Sequence, residues 1–339
     1  IDSYSLMAAI DFIRAKAELA RYFKAFEPEV KAEPHIDWIR AIHPLLQLSL
    51  ERKCKERLNT SLSIEEKVFS KDTDDSLSAQ EIELVSEDDN TSTSVPKSVV
   101  PLDIQLTKDK YLLIISGPNA GGKSVCLKTV GLLQYMLQCG LSIPVGDRST
   151  TGLFSDIMID IGDEQSIEND LSTYSSHLMN MKVMMRQASD STLILIDEFG
   201  TGTEPQIGGA IAEAVLKQLW EKHAWAVITT HYQNLKHFAE AHPGTANGAM
   251  LYDRHEMRPL FQLAIGRPGS SFAIEIARKT GIPEAVIKDA SSIVGSDYIQ
   301  SDKYLQDIVR DKRYWEGKRQ TIHSQEKELS KSIARYERE

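Results

Sequence analysis

The feature that most constrains the fold of this chain is an apolar run that leads into a glycine-rich turn, LLIISGPNAGGKSVCLKTV, at residues 112–130. Four apolar residues precede the turn, and apolar residues at helical spacing follow it. The turn fits the pattern G-x-x-x-x-G-K-[ST], which needs a strand before it and a helix after it. The sequence therefore predicts a strand, a phosphate-binding loop and a helix in direct succession.

Short apolar runs and longer helical patterns alternate from residue 99 to about residue 266. Helical patterns occupy residues 125–140, 179–189 and 207–220, and the apolar runs between and after them include TLILID and WAVITT. Strands that alternate with helices form a largely parallel sheet covered by helices. The predicted fold class is therefore α/β, with a mostly parallel sheet flanked by helices.

Composition supports a globular chain and excludes few partners. The chain has 339 residues, of which 41% are hydrophobic, and it carries a formal net charge of -10. Residues 71–97 contain eight acidic and two basic residues, so they account for most of this charge, and a nucleic-acid partner is not excluded. The absence of a long apolar run, of a signal-peptide pattern and of a C-x-x-C pair predicts a cytoplasmic protein without a membrane span.

The first part of the chain predicts one long amphipathic helix. Its apolar residues recur at helical spacing, namely Leu6, Ile10, Ile13, Ala17, Ala20 and Phe23. The pattern ends at Glu27 and Pro28, because proline cannot continue a helix. Further on, residues 70–96 are acidic and rich in Ser and Thr, with too few apolar residues to repay the ordering of the chain. They predict a disordered insertion, although the run AQEIELV within it could also form an edge strand.

The last part of the chain predicts the beginning of a coiled-coil arm. Apolar residues lie seven positions apart at Ile308, Trp315, Ile322, Leu329 and Tyr336, and charged residues fill most of the other places. The companion series of core positions is interrupted by charged residues, namely Lys312, Arg319 and Glu326.

The glycine-rich turn has the composition of a nucleotide-binding loop. Glycines let the backbone approach phosphates and direct N–H groups at them. Lys123 would contact the β- and γ-phosphates, and Ser124 would ligate Mg²⁺. An ordinary glycine turn is the alternative. The predicted nucleotide-binding residues are Gly117, Pro118, Asn119, Ala120, Gly121, Gly122, Lys123, Ser124 and Val125.

Two further strand ends carry candidate catalytic groups. The run TLILIDE places Asp197 and Glu198 after a buried strand, where Asp197 would hold Mg²⁺ and Glu198 would activate water. Alone, such acids could equally form a solvated strand end or a helix cap. His231 follows the run AWAVITT and could contact the γ-phosphate, although a lone histidine is more often structural. The glycine-rich stretch FGTGTEP after the acids could respond to the nucleotide or contact a second subunit.

Together these motifs resemble those of the MutS family of ATPases, which are related to the ABC-type ATPases. GPNAGGKS, LILIDEFGTGT and TTHY are similar to the loop, the acidic strand and the histidine motif of that family, in the same order. The stretch DIGDEQSIENDLSTYSSHLMNM, residues 160–181, resembles the signature segment of the second branch, the MutS type 2 proteins. AIHPLL, residues 41–46, is similar to a motif that precedes the family's ATPase core.

The resemblance implies a P-loop, ABC-type, Mg²⁺-dependent ATPase that binds ATP and ADP and works as a homodimer. In this family the signature segment of one subunit completes the site of the other. Ser172 and Thr173, together with Asn169, would then point at the γ-phosphate in the opposite subunit. Without the resemblance, Ser172 or Thr173 would be read as a helix cap. Adenine would be contacted near Val99 and Val100, with help from Phe261 or Gln262.

The resemblance also implies a division of the chain, which we expect to be a piece of a longer protein with a clamp before it and a nuclease domain after it. The expected parts are the end of a helical lever and clamp region (1–40), an ATPase domain with a disordered acidic insertion at about 60–97 (41–266), a dimerising helix-turn-helix (267–297) and a coiled-coil linker (298–339).

The functions implied for the whole protein are action on branched DNA, with suppression of homologous recombination, and splitting of collided ribosomes through contacts with rRNA. Nuclease activity is expected only of the whole protein. Alternatives are a mismatch-repair MutS ATPase and a cohesin-like or transporter head of the ABC type. The last two normally carry an L-S-G-G-Q-type signature, which is absent between Lys123 and Asp197. The chain also lacks an evident basic stripe with interleaved aromatics, so we expect it to bind nucleic acid weakly by itself.

Overall fold

The computed structural model describes residues 2–69, 98–118, 121–162, 173–253, 258–269 and 273–294. The helices in these residues are α1 (Asp2–Tyr22), α2 (Pro44–Phe69), α3 (Lys123–Gln138), α4 (Thr173–Gln187), α5 (Pro205–Glu221), α6 (Gln233–Ala241), α7 (Ala273–Lys279) and α8 (Glu284–Val294). The strands are β1 (Glu29–Lys31), β2 (Ile36–Ala41), β3 (Leu102–Leu106), β4 (Lys110–Ser116), β5 (Thr150–Gly152), β6 (Asp156–Asp160), β7 (Thr192–Ile196), β8 (Trp225–Thr229), β9 (Gly244–Asp253) and β10 (Arg258–Ile265).

The larger sheet has six strands in the order β10-β9-β4-β8-β7-β6. Neighbouring strands from β9 to β6 pair in parallel, and β10 pairs with β9 in the antiparallel sense. Every residue of β7 and β8 is buried, as expected for central strands that are covered on both faces. The predicted α/β class and the mostly parallel, helix-flanked sheet are therefore confirmed.

Close packing of a helix on the sheet fixes the position of the phosphate-loop helix α3. Gly131 in α3 faces Leu195 of β7, and a Cβ atom at Gly131 would lie 2.8 Å from Leu195 Cδ1. Leu127 and Leu133 of the same helix are fully buried. The absence of a side chain at Gly131 thus lets α3 lie close to the strand that carries the acidic pair.

A second sheet, in the order β1-β5-β2-β3, replaces part of the expected helical region at residues 1–40. β2 alternates buried and more exposed residues, with Ile36 and Trp38 in the core. Its partners β3 and β5 lie more than sixty residues further along the chain. Residues 29–41 therefore belong to strands and their connection, and not to a helical region. The sequence did not reveal these strands because their pairing is entirely long-range.

The predicted long first helix corresponds to α1, which keeps much of its apolar surface exposed. Its exposed residues include Tyr4, Leu6, Met7, Ile10, Phe12 and Ile13. Helix α2 extends to Phe69, so residues 60–69 of the expected insertion are helical. The rest of that insertion, including AQEIELV, and the predicted coiled-coil arm lie outside the described residues.

Among the described residues, no helix combines the length and the apolar character needed to cross a membrane.

Candidate nucleotide-binding site

Three neighbouring parallel strands bring the predicted site residues to one edge of the larger sheet. β4 leads into the glycine-rich loop, β7 leads into the acidic pair, and β8, which lies between them, leads towards His231. The ladders align Ile115 of β4 with Thr229 of β8, and Ile196 of β7 with Ile228 of β8. In open α/β sheets ligands bind beyond the carboxyl ends of the strands, and this edge is of that kind.

The loop after β4 has a backbone that requires glycine. Gly117 has a φ of 142°, and Gly122, which precedes helix α3, has a φ of 91°. A side chain would also meet neighbours, because a Cβ atom at Gly117 would lie 3.2 Å from Met250 Cβ and one at Gly122 would lie 3.1 Å from Phe261 Cδ1. Asn119 and Ala120, also predicted to bind nucleotide, lie outside the described residues.

Lys123 lies at the centre of the site and is only 3% exposed. Its ammonium group donates to the carbonyl oxygen of Gly117 at 2.8 Å and lies 3.1 Å from His231 Nε2. Burial lowers the pKa of Lys123 to about 8, against the attraction of Glu198 and Asp197. At neutral pH the lysine therefore remains mostly protonated, as a phosphate ligand requires.

His231 is held in its uncharged form. Burial, with the positive charges of Lys123 and Lys236, lowers the pKa of His231 to about 4. Because an ammonium group can only donate, His231 Nε2 accepts the hydrogen bond from Lys123. The histidine predicted from its strand end thus lies directly beside the lysine of the loop.

The two acids differ in their surroundings. Asp197 is partly buried, and its charge opposes the lowering of the Lys123 pKa by burial. Burial, together with the charge of Asp197, raises the pKa of Cys126 in the first turn of α3. Glu198 is exposed and has a φ of 49°, a left-handed conformation that is uncommon for a residue with a side chain. The pair therefore presents one carboxylate near the start of α3 and a second one to solvent.

Ser124 and Asp197 are the predicted magnesium ligands. Ser124 lies in the first turn of α3, the helix whose start is within the electrostatic reach of Asp197. Within the part of the chain that the structure describes, no group of three or more His, Cys, Asp or Glu side chains could hold a metal ion. A hydroxyl and one carboxylate fit Mg²⁺ when phosphate oxygens and water supply its remaining ligands.

The glycine-rich stretch after the acids is held between α4, α5 and the residue after His231. Tyr232 donates from its hydroxyl to the carbonyl oxygen of Gly200 at 3.0 Å. A Cβ atom at Gly208 of α5 would lie 2.3 Å from the same carbonyl oxygen, and one at Gly202 would lie 3.3 Å from Tyr174 Cβ in α4. This stretch therefore contacts both the histidine motif and the first turn of α4, the helix that begins within the signature segment at residues 160–181.

The signature helix α4 is tied to the edge of the sheet by a buried carboxylate. Asp160, at the end of β6, lies 2.8 Å from His177 Nδ1 and accepts a hydrogen bond from Asn180 at 2.9 Å. Its backbone oxygen accepts from the Asp197 N–H. Asn169, Ser172 and the side chain of Thr173, which the resemblance assigns to the opposite subunit, lie outside the described residues.

A small apolar slot opens beside the loop. It has a volume of about 230 Å³, and its lining includes Val99, Val100, Val125, Met250 and Phe261. Three of the residues predicted to contact adenine therefore line one cavity next to Gly122, and Gln262 is not among the lining residues.

Sequence reasoning missed the contribution of the segment after β10. The Gly269 N–H donates to the hydroxyl of Ser116 at 2.6 Å, and Lys236 donates to the Gly269 carbonyl oxygen at 2.9 Å. A Cβ atom at Gly269 would lie 2.4 Å from the Ser116 carbonyl oxygen. Lys236 also lowers the pKa of both Lys123 and His231. The glycine in GRPGSS was the available signal, but its contact joins residues that are 153 positions apart.

Comparison with known proteins agrees with these features. Residues 113–296 match the family profile of MutS domain V. The chain is 38% identical over 303 residues to the Endonuclease MutS2 of Thermomicrobium roseum, covering 89% of this chain and 34% of that protein. It is 35% identical over 336 residues to the Endonuclease MutS2 of Pelotomaculum thermopropionicum, covering 99% and 37%. The chain thus spans about a third of the length of the curated relatives it matches.

Substitution of Gly208 should test the packing of the glycine-rich stretch. We expect Gly208→Ala to lower the free energy of unfolding by about 1–3 kcal/mol, because the new methyl group would collide with the Gly200 carbonyl oxygen. Gly209→Ala is the matched control, since its nearest neighbour is the end of the Asn234 side chain at 3.3 Å. Denaturant unfolding measures both, and equal losses would contradict the proposed contact.

Proposed function

Since the chain belongs to the MutS family and its relatives are MutS2 proteins, we propose that it is the Mg²⁺-dependent ATPase unit of a dimeric MutS type 2 protein. The observation that carries this proposal is the meeting of Lys123, Asp197, Glu198 and His231 at the ends of three adjacent strands. If the glycine-rich loop were an ordinary turn, or His231 only structural, there would be no reason for these four side chains to lie together.

In the proposed reaction each group has a distinct task. Lys123 exchanges the Gly117 carbonyl and His231 for the β- and γ-phosphate oxygens, and the backbone of the loop contacts the same phosphates. Ser124 and Asp197 would hold Mg²⁺, which offsets phosphate charge when it is bound. Glu198, exposed to solvent, takes the proton of the attacking water. His231, released by Lys123, contacts the γ-phosphate.

The apolar slot is the proposed adenine site. It adjoins Gly122, so a base in the slot and phosphates on the loop would belong to one nucleotide. Phe261 has a φ of 54° and lies with its ring against Gly122, which places an aromatic surface beside the loop. Aromatic side chains stack on bases, and Val99, Val100 and Met250 supply an apolar surround.

A second copy of the chain is the proposed partner, and its signature segment would complete the site. Two features support this. Helix α4 begins at Thr173, within that segment, and is anchored through Asp160 beside the acidic strand. The helix pair α7 and α8 exposes apolar residues, including Val286 and Ile293, that a partner subunit could cover.

For the whole protein we propose action on branched DNA, with suppression of recombination, or on collided ribosomes, in the cytoplasm. The relatives are named endonucleases, and DNA is a substrate that agrees with this name. The name belongs, however, to proteins about three times as long as this chain. A mismatch-repair role is less favoured, because residues 160–181 resemble the signature of the type 2 branch and the matched relatives are MutS2 proteins. Salt-dependent binding of the whole protein to branched DNA and to stalled ribosomes would separate these roles.

Substitutions of the loop lysine and of the exposed acid should separate binding from hydrolysis. We expect Lys123→Ala to abolish nucleotide binding, because it removes the main cation from the loop. Glu198→Gln should retain binding and lower turnover by roughly 10²-fold or more, since it removes the base. Calorimetric binding and steady-state phosphate release measure the two effects, with Lys217→Ala, an exposed lysine on α5, as the control. Normal turnover in both variants would sink the assignment.

Removal of the Phe261 ring should weaken the binding of nucleotides and leave the binding of inorganic phosphates unchanged. We expect Phe261→Ala to reduce ATP and ADP affinity about tenfold, because base stacking contributes roughly 1–3 kcal/mol. Inorganic triphosphate should bind as before, and Phe261→Tyr, which keeps a ring, should bind ATP nearly normally. Equal losses for ATP and inorganic triphosphate would show that the ring does not contact a base.

Mixing two inactive variants should reveal whether the site is shared between subunits. Lys123→Ala leaves the signature segment intact, and Ser172→Ala leaves the loop intact. In a mixed dimer one site has both parts, so we expect ATPase activity to recover well above that of either variant alone at the same total concentration. No recovery in dimers that are shown to have mixed would argue that each chain completes its own site.

A further inference from the structure

We propose that Thr229 is a positioning residue that fixes the orientation of both acids of the site, so that Asp197 faces the metal and Glu198 faces the attacking water. Thr229 is the last residue of β8 and is fully buried. None of the sequence motifs assigned a role to it. The inference rests on the proposed ATPase function, since it concerns how the two acids of that reaction are held.

The register of the sheet puts Thr229 between the loop strand and the acidic strand. Thr229 pairs with Ile115 of β4 on one side, and the pairing of Ile196 with Ile228 places Asp197 next to Thr229 on the other. The strand order β4-β8-β7 therefore brings its side chain to the crevice between the phosphate-binding loop and the acids.

The hydrogen bonds of the Thr229 hydroxyl have an unambiguous direction. The Glu198 N–H donates to Thr229 Oγ1 at 2.8 Å, and a backbone N–H cannot accept. The single hydroxyl proton is therefore available for Asp197, whose Oδ1 lies 2.5 Å from Thr229 Oγ1. One hydroxyl thus links the backbone of one acid to the carboxylate of the other. Among the described residues, Asp197 Oδ2 has no hydrogen-bond partner, which leaves it available to a metal or its water.

The same residue stabilises the unusual backbone of Glu198. A non-glycine residue at a φ of 49° is disfavoured by roughly 1–2 kcal/mol and needs support from its neighbours. The Glu198 N–H binds the Thr229 hydroxyl, and the next N–H, of Phe199, binds the Thr229 carbonyl oxygen at 2.9 Å. After this turn the Glu198 side chain is exposed, and within the described part of the chain its carboxylate accepts no hydrogen bond. Thr229 therefore directs the two consecutive acids to different tasks.

A buried threonine could instead serve stability alone, and the two roles predict different measurements. Thr229→Val keeps the shape and removes the hydroxyl, whereas Thr229→Ser keeps the hydroxyl and removes the methyl group. Thr192→Val is the matched control, because Thr192 is also fully buried and hydrogen-bonded, but at the first residue of β7 and away from the acids.

In the nucleotide-free chain, residue-resolved amide hydrogen exchange gives a readout that does not depend on activity. Thr229→Val should speed exchange of the Glu198 N–H at least tenfold, because it loses its acceptor. The Phe199 N–H should stay protected, since its acceptor is the backbone oxygen at position 229. Unchanged Glu198 exchange in Thr229→Val, relative to both wild type and Thr192→Val, would overturn the proposal.

The ATPase assay gives the second readout, normalised to folded protein. Thr229→Val should lower kcat at least tenfold and raise the Mg²⁺ concentration for half-maximal rate several-fold, while ATP binding without Mg²⁺ is unchanged. Thr229→Ser should restore most of kcat and the Mg²⁺ dependence. If Thr229→Val turns over normally while Glu198→Gln does not, the positioning role is wrong and the ATPase assignment stands. If wild type itself hydrolyses no ATP, the proposed function fails, and the exchange result stands apart from it.

Discussion

The parallel pairing of β4, β8 and β7 is the constraint on which the rest of the site depends. These strands are almost entirely apolar and buried, so their register is fixed by packing on both faces. A shift of one residue would turn each side chain to the other face of the sheet and would separate Thr229 from Asp197. The chemistry is therefore positioned by the hydrophobic core, and the polar residues only extend from its edge.

Electrostatic balance explains how this edge can hold so many polar groups. A lysine that is 3% exposed would be costly if it were isolated. Asp197 and Glu198 favour its charged form, while the neutral His231 accepts a hydrogen bond from it. The arrangement keeps the lysine mostly protonated beside the loop, with partners that a phosphate group could replace.

Glycine has a specific use in the loops that surround the site. Gly117 and Gly122 supply backbone angles that other residues rarely adopt, whereas Gly208 and Gly269 supply space for a neighbouring carbonyl oxygen. Gly208 lets helix α5 pack against the stretch after the acids, and Gly269 lets a segment that is distant in sequence pack against the end of β4. Close backbone contacts therefore hold these glycine-rich segments in place.

The sequence alone determined the strand–loop–helix unit, the α/β class and the family, because glycine spacing, apolar runs and acids at strand ends are local patterns. It also identified Lys123, Asp197, Glu198 and His231 as separate candidates. Only the tertiary structure decided that Thr229 bridges the acids, that Gly269 and Lys236 support the loop, and that residues 29–41 belong to strands and their connection. Those facts depend on contacts between residues tens to more than a hundred positions apart, which strand order and register create and which no local pattern encodes.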